Sequence, residues 1–559
     1  MPTHARSLTL LFLAALAFVS PARGQSAAYD VIITGGRIVD GTGNGWYPGD
    51  VGIRGDRIVA ITPRGMLDGA EAGTRIDATG KVVAPGFIDI QSHSRFAFLG
   101  DGDGRVVSKV TMGVTTEIMG ESTTNAPVRE SQAREGTAFA GPRAFDEWIQ
   151  AMTDHGASVN FGSFVGATTI RVLGKGQAMG AANETQLEMM RMAVRNAMED
   201  GAFGIGSALI YPPGNFASTD ELVEINRAAA PYGGVYITHM RSEADQFLEA
   251  IDEAIEIGTR AGVPVEIYHL KAGGTLNWHK AAEAVAKIDS ARAAGVDIQA
   301  NMYPYTAGGT GLTACFPPWA SADGKLFDNL ADPGMRARIR SEIEHQTSDW
   351  ENLCSLATPE GVLLLGFDKR ENRRYMGRRL SEVAAELGKD WIETAFDLVL
   401  DERQRIGTIY FMMSEENVAM QIGQPWIKFG TDAGGIDPER AGGLSHPRAY
   451  GTFTRVLGKY VREEGATTLE EAVRKMSSAV ATRLHIRDRG LLKEGFFADV
   501  VVFDPETVGD RATYEEPHQV SVGMEHVLVN GVPVVSHGRH TGALPGRAVR
   551  GPGWAGWER

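Results

Sequence analysis

Five residues of this sequence place a metal-ligating or proton-moving side chain just past a β-rich run. His93 follows Gly86-Phe87-Ile88-Asp89-Ile90, and Glu121 follows Thr115-Thr116-Glu117-Ile118-Met119-Gly120. His239 follows Tyr236-Ile237-Thr238, His269 follows Glu266-Ile267-Tyr268, and Asp432 follows Ile427-Lys428-Phe429-Gly430-Thr431. Imidazole nitrogens and carboxylate oxygens together suit a zinc ion. Carboxylates and imidazoles also move protons when held near a reacting group. A single histidine after a strand is ordinarily a hydrogen-bonded structural residue. Five such positions point to one shared site. His155, His279, His345 and His526 lack this setting and read as surface or structural residues.

The elements that must carry these residues alternate between helix and strand. Ser218-Thr219-Asp220-Glu221 is a capping box that opens an amphipathic helix, and Gly233-Gly234 ends it. A strand over 235–238 precedes a helix with Phe247, Ile251, Ile255 and Gly258 on one face. Strand 263–268, helix 281–294 and strand 296–302 continue the rhythm. This alternation predicts a parallel α/β barrel, whose C-terminal strand ends converge on one face. The stretch over about 310–400 breaks the pattern. It is charged and reads as helical, for example over 335–344, and is expected as an insertion on the catalytic side; an extra helical layer is the alternative. Short strands at 29–33 and 50–54, and again at 498–503 and 527–531, suggest that both ends of the chain build one small β-domain.

The bulk composition agrees. The chain has 559 residues, 43% of them hydrophobic, which is enough for a large core and too many for one simple domain. The net charge of −15, without a basic face, excludes a nucleic-acid binder. His4 and Arg6 precede an apolar run over 8–19, followed by Pro21-Ala22-Arg23-Gly24. This reads as a signal peptide over 1–24, with export to the periplasm or medium; the run is short for a membrane span. No membrane association is expected after cleavage. The remaining boundaries are expected at 25–84 for the first part of the β-domain, 85–485 for the barrel and 486–559 for the second part. Cys315 and Cys354 are the two cysteines, and a disulfide or two ordinary thiols are both compatible with the sequence.

Several motifs then give a specific resemblance. Gly86-Phe87-Ile88-Asp89, Thr238-His239-Met240-Arg241, His269-Leu270-Lys271-Ala272, Gly430-Thr431-Asp432 and the run from Gly490 to Asp504 resemble the amidohydrolase superfamily. Ile210-Tyr211-Pro212-Pro213-Gly214, Tyr303-Pro304-Tyr305-Thr306-Ala307-Gly308, Phe411-Met412-Met413-Ser414-Glu415-Glu416 and His446-Pro447-Arg448-Ala449-Tyr450-Gly451 are similar to the N-acyl-D-amino-acid deacylase, or D-aminoacylase, branch. The resemblance spans nearly everything after residue 24. It implies a distorted (β/α)8 TIM barrel with a small β-sandwich domain formed by both chain ends, and a zinc site with one or two ions. By the same resemblance His239 and His269 are metal ligands and Asp432 is the catalytic aspartate. It also implies that Lys271, Tyr303 or Tyr305, and Arg448 match positions near the substrate carboxylate.

Two departures stand out. The first strand of the family ends in His-x-His, whereas this chain has Gln91-Ser92-His93. The bridging cysteine is also absent, and Gly120-Glu121-Ser122 stands in its place. Gln is a poor zinc ligand and Ser is neutral. The expected centre is therefore one zinc ion per chain on Glu121, His239 and His269, with manganese or iron as alternatives. His93 is assigned to orienting water or substrate. The expected reaction is hydrolysis of an amide beside a carboxylate, as in a small-molecule N-acyl-D-amino acid. Asp432 serves as general base and Arg448 grips the carboxylate. Dipeptides, cyclic amides or other acylated amides stand as alternative substrates. A non-catalytic metal-binding relative is the second alternative, and no oligomeric state is assigned.

Overall fold

Short apolar runs form the strands of the central barrel because both faces of each strand are covered. The computed structural model describes Met1 and residues 28–345 and 350–556, so the signal peptide expected over 1–24 lies outside the described residues beyond Met1. Eight parallel strands follow one another in space. They are Phe87–Asp89, Val114–Met119, Asn160–Ser163 (resuming as Val165–Gly166), Gly204–Ala208, Val235–His239, Val265–Ile267, Ile298–Met302 and Ile427–Phe429. The last strand returns to the first through a Ser92–Ala433 bridge and a 2.8 Å bond from Asp432 N–H to Gln91 O. Buried Lys109 fastens this seam, with its Nζ 2.7 Å from Asp89 Oδ2, 2.6 Å from Thr431 Oγ1 and 2.7 Å from the Ala433 carbonyl. A buried ammonium persists only with such partners. The seam thus sets the backbone that carries Gln91, His93 and Asp432.

The capping box at 218–221 forms only by half. Ser218 Oγ accepts from Glu221 N–H at 3.2 Å and starts the helix Thr219–Ala229. The Glu221 side chain instead pairs with Arg171 at 2.5 Å, because a buried guanidinium is a stronger partner than one backbone amide.

Both chain ends join in one β-domain of nine strands. Val500–Phe503 pairs antiparallel with Val82–Pro85, which in turn lies beside Tyr29–Ile38. Val31, Ile33, Val51, Ile53, Val500, Val502 and Leu528 enclose a core separate from that of the barrel. The last strand of this domain ends at His540. Beyond it the chain departs from the boundary expected at 486–559. Residues 546–551 lie along the barrel, where Arg547 O accepts from Phe161 N–H and Val549 N–H donates back to Phe161 O.

The insertion is a mixed layer and not a purely helical one. Ala307–Gly311 pairs antiparallel with Gly407–Phe411, and Val362–Leu364 adds to the other side of the latter. Helices Leu326–Ala331, Pro333–Glu344, Leu353–Ala357, Leu380–Leu387 and Trp391–Glu402 fill the sequence between. Ala307-Gly308-Gly309-Thr310-Gly311 has little strand propensity of its own, so pairing to Gly407–Phe411 creates the strand. Of the two readings left open for the cysteines, the structure has the disulfide, Cys315–Cys354, buried within this layer.

Candidate active site

The strand ends bring the five residues into one pit. Glu121, at the end of the second strand, sits between three imidazoles. Its Oε1 is 3.3 Å from His239 Nδ1 and 3.7 Å from His269 Nε2, and its Oε2 is 3.5 Å from His93 Nε2. Glu121, His239 and His269 each offer one atom, all within 4.8 Å of one another. The two histidine rings stand perpendicular, centroids 4.4 Å apart, so that one nitrogen of each faces Glu121. A carboxylate with two imidazoles is a sound three-ligand set for a divalent ion. His93, Glu121 and Asp432 form a second group of the same span. His155, His279, His345 and His526 belong to neither group.

Backbone strain marks the same place. Ser122, His269 and Asp432 have φ of 61°, 34° and 49°, in the left-handed region that non-glycine residues avoid. Ser122 turns its hydroxyl to Thr168, 3.0 Å away, which leaves Glu121 as the donor from this turn. Gln91 is not a ligand either. Its Nε2 donates to Glu121 Oε2 at 2.6 Å and so orients the carboxylate.

Charge governs protonation here. Burial opposes the ionised form of Glu121, but hydrogen bonds from His239, His269 and His93 hold its carboxyl well below the usual range. Burial lowers the His239 imidazole. Burial and Lys271 oppose the charged form of His269, yet Glu243 and Glu121 push it up to about 9. Partial desolvation at the rim of the pit opposes the charged form of His93 as well, and Asp432 and Glu121 bring it to about 9. A metal ion would displace these protons, because only neutral imidazole ligates.

Asp432 lies between two cations, with Oδ1 2.9 Å from His93 Nε2 and Oδ2 2.8 Å from Arg448 Nη1. Burial would raise its carboxyl, but Arg448 holds it below the ordinary value. Arg448 opens the helix Arg448–Arg455 over the Tyr303 ring, 4.6 Å from its centroid, and donates to Gly309 O at 3.1 Å. A Cβ on Gly309 would stand 3.3 Å from His446 and 3.5 Å from Arg448, so glycine permits this approach. His446 receives the Arg448 N–H on Nδ1 at 3.0 Å and donates from Nε2 to Ala307 O at 2.9 Å. Burial keeps it neutral, which this bonding requires.

Two expected substrate contacts stand differently. The Lys271 ammonium lies 2.6 Å from both oxygens of Glu243, so its charge is already paired inside the wall. The Tyr305 hydroxyl turns to Pro447 O at 3.4 Å and its ring stacks under Arg455, which makes it support for the Arg448 helix. It sits two residues beyond Tyr303, across Pro304, and the sequence alone does not say which of the two faces inward. Three residues were missed. Glu243 faces the histidines from behind, Tyr211 packs edge-on to His239 at 5.3 Å, and Tyr514, from the C-terminal segment, backs His446 at 5.4 Å. Tyr211 had a signal in its Tyr-Pro-Pro-Gly turn just past a strand, whereas Glu243 and Tyr514 sit in loops without one.

A family model described as "Amidohydrolase family" matches residues 427–535. A D-aminoacylase of Alcaligenes xylosoxydans xylosoxydans is 35% identical over 94% of this chain and 99% of its own. An N-acyl-D-glutamate deacylase of the same organism is 34% identical over 93% of this chain and 96% of its own. The solved N-acyl-D-glutamate deacylase of Bordetella bronchiseptica, with zinc and a phosphonate mimic of the tetrahedral intermediate, superimposes with a TM-score of 0.77 at 31% identity, covering 93% of this chain and 99% of that one. Identity at this level along nearly the whole length, on the same barrel, shows that this chain belongs to the D-aminoacylase family of metal-dependent amidohydrolases.

Proposed function

We propose that the protein hydrolyses the amide bond of N-acyl-D-amino acids with one divalent ion, zinc in the first instance, held by Glu121, His239 and His269. The observation that carries this reading is the buried three-donor group standing beside the Asp432–Arg448 pair. Zinc accompanies a similar deacylase, and the donor set here suits it. One ion is favoured over two because Gln91 directs an N–H, and not a lone pair, at the Glu121 oxygen nearest His93.

When bound, the ion supplies Lewis acidity to the amide carbonyl and lowers the pKa of a water toward about 7. Asp432 accepts the proton of the attacking water and returns it to the leaving nitrogen. His93 holds Asp432 in place from the open side of the pit, where its side chain is 42% exposed. Arg448 binds the substrate carboxylate. Its Nε is buried without a hydrogen-bond partner among the described residues, and a carboxylate is the acceptor its fork matches. Export fits the buried disulfide, which persists in an oxidising compartment.

The test is a panel of N-acetyl-D- and N-acetyl-L-amino acids assayed with zinc-loaded protein. D-selective hydrolysis is expected, and hydrolysis of L-substrates alone would overturn the assignment. Asp432→Asn should lower kcat by about 10²–10⁴-fold, the usual worth of a general base, with zinc retained.

A further inference from the structure

The two histidines that face Glu121 each have a second ring nitrogen, and one carboxylate meets both. Glu243 Oε1 is 2.9 Å from His269 Nδ1, and its Oε2 is 3.5 Å from His239 Nε2. The inward atoms are the opposite ones, Nε2 of His269 and Nδ1 of His239. His239 Nε2 is buried and has no hydrogen-bond partner among the described residues, and Glu243 Oε2 faces it at 3.5 Å. Both rings are therefore sandwiched between Glu121 in front and Glu243 behind.

We infer that Glu243 is a positioning residue that fixes the tautomer and tilt of both histidines, and that the insertion holds it in place through Glu351. This rests on the metal-site reading above. An imidazole that turns a lone pair inward must carry its proton on the outward nitrogen. A carboxylate there accepts that proton, locks the ring and strengthens the ligand. The two histidines use different nitrogens inward, so their outward protons point to one place from two sides, and the two oxygens of a single Glu serve them. Lys271 is held by the same carboxylate and competes with it for His269: its Nζ lies 2.6 Å from both Glu243 oxygens, and also 2.7 Å from His269 Nδ1, where an ammonium can only donate. Lys271 neutralises Glu243 and keeps it ionised. Without Glu243, the same ammonium would donate to His269 Nδ1 and force the proton onto Nε2, the wrong tautomer for ligation.

Glu243 lies in the loop after the strand Val235–His239, and that loop is anchored from outside the barrel. Glu351, three residues before Cys354 of the disulfide, accepts from Ser242 Oγ at 2.6 Å, from Ala244 N–H at 2.7 Å and from the Glu243 N–H. The insertion thus sets the backbone from which the carboxylate reaches both rings.

The experiment is zinc affinity by chelator competition on full-length protein, for wild type, Glu243→Gln, Glu243→Gln with Lys271→Met, and Glu351→Ala. Glu243→Gln should weaken zinc by about 10–100-fold, the range for loss of a carboxylate behind a ligating histidine. The double variant should recover part of that loss, because no ammonium then faces His269 Nδ1; a merely structural role would make it worse. Glu351→Ala should weaken zinc less than Glu243→Gln, with the melting temperature of the zinc-free protein checking that each variant is folded. If Glu243→Gln unfolds, Glu351→Ala decides. Wild-type affinity in folded Glu243→Gln, or in Glu351→Ala where the first variant unfolds, overturns the inference alone. A wild type that binds no divalent ion overturns the metal reading and this inference together.

Discussion

The histidines, carboxylates and one arginine of the pit divide the work by what each side chain can hold. Arg448 is paired with Asp432 at 2.8 Å, so a substrate carboxylate must compete for it. Arg448→Met should reduce kcat/KM for N-acetyl-D-amino acids by about 30-fold or more, since truncating one partner of a buried ion pair costs roughly 2–5 kcal/mol. Steady-state kinetics against the matching N-acetylamine, which lacks the carboxylate, should show little discrimination left in the variant. Most of this site was legible in the sequence, because barrel topology alone brings the residues after each strand together. His93, Glu121, His239, His269 and Asp432 were each named from a strand end, and all five line one pit. Glu243 was not legible, since its role depends on where two imidazoles turn their outer nitrogens. Lys271 was legible as a residue of the site, but its pairing with Glu243 was not.

At the scale of elements, the insertion is both wall and brace. Its disulfide links cysteines 39 positions apart in sequence, joining the turn Leu312–Cys315 to the helix Leu353–Ala357. Reduction, or the double change Cys315→Ser with Cys354→Ser, should lower stability by about 2–4 kcal/mol, read as a fall in melting temperature. Glu351 gives a pH signature. Burial, and then Glu243, raise its carboxyl to about 7. Its folded value lies above its unfolded one, so its contribution to stability is full below about pH 4.5 and is lost as pH rises through 7. Glu351→Gln keeps the acceptor oxygen and removes the charge. Thermal melts between pH 5 and 8 should show a shallower decline in the variant, and an unchanged slope would remove Glu351 as its source. The sheet of this layer was hidden from sequence reading because three of the five residues in Ala307–Gly311 are glycine, which reads as a turn. Its strand exists through pairing, and Gly309 within it leaves room for His446 and Arg448.

At the scale of the whole molecule, one asparagine ties the β-domain to the barrel. Asn530 sits at a hairpin turn with φ of 50°. It accepts from Arg489 at 2.9 Å, and its amide donates to Asn160 of the barrel and to Pro545 O, both at 2.8 Å. Asn530→Ala should cost roughly 1–3 kcal/mol, measured as a lower denaturant midpoint, because it removes three hydrogen bonds at the junction of the two domains. Zinc affinity should be unchanged. The union of the two chain ends was legible from paired strand patterns, whereas the course of residues 546–551 along the barrel was not. That course depends on backbone hydrogen bonds to Phe161, which leave no side-chain pattern in the sequence.

In the proposed metal site Glu121 is the third ligand beside His239 and His269. Elemental analysis of zinc per chain, on wild-type protein and Glu121→Ala purified identically and checked for folding, tests it most directly. One ion is expected in the wild type and close to none in the variant. Full occupancy in folded Glu121→Ala would contradict it.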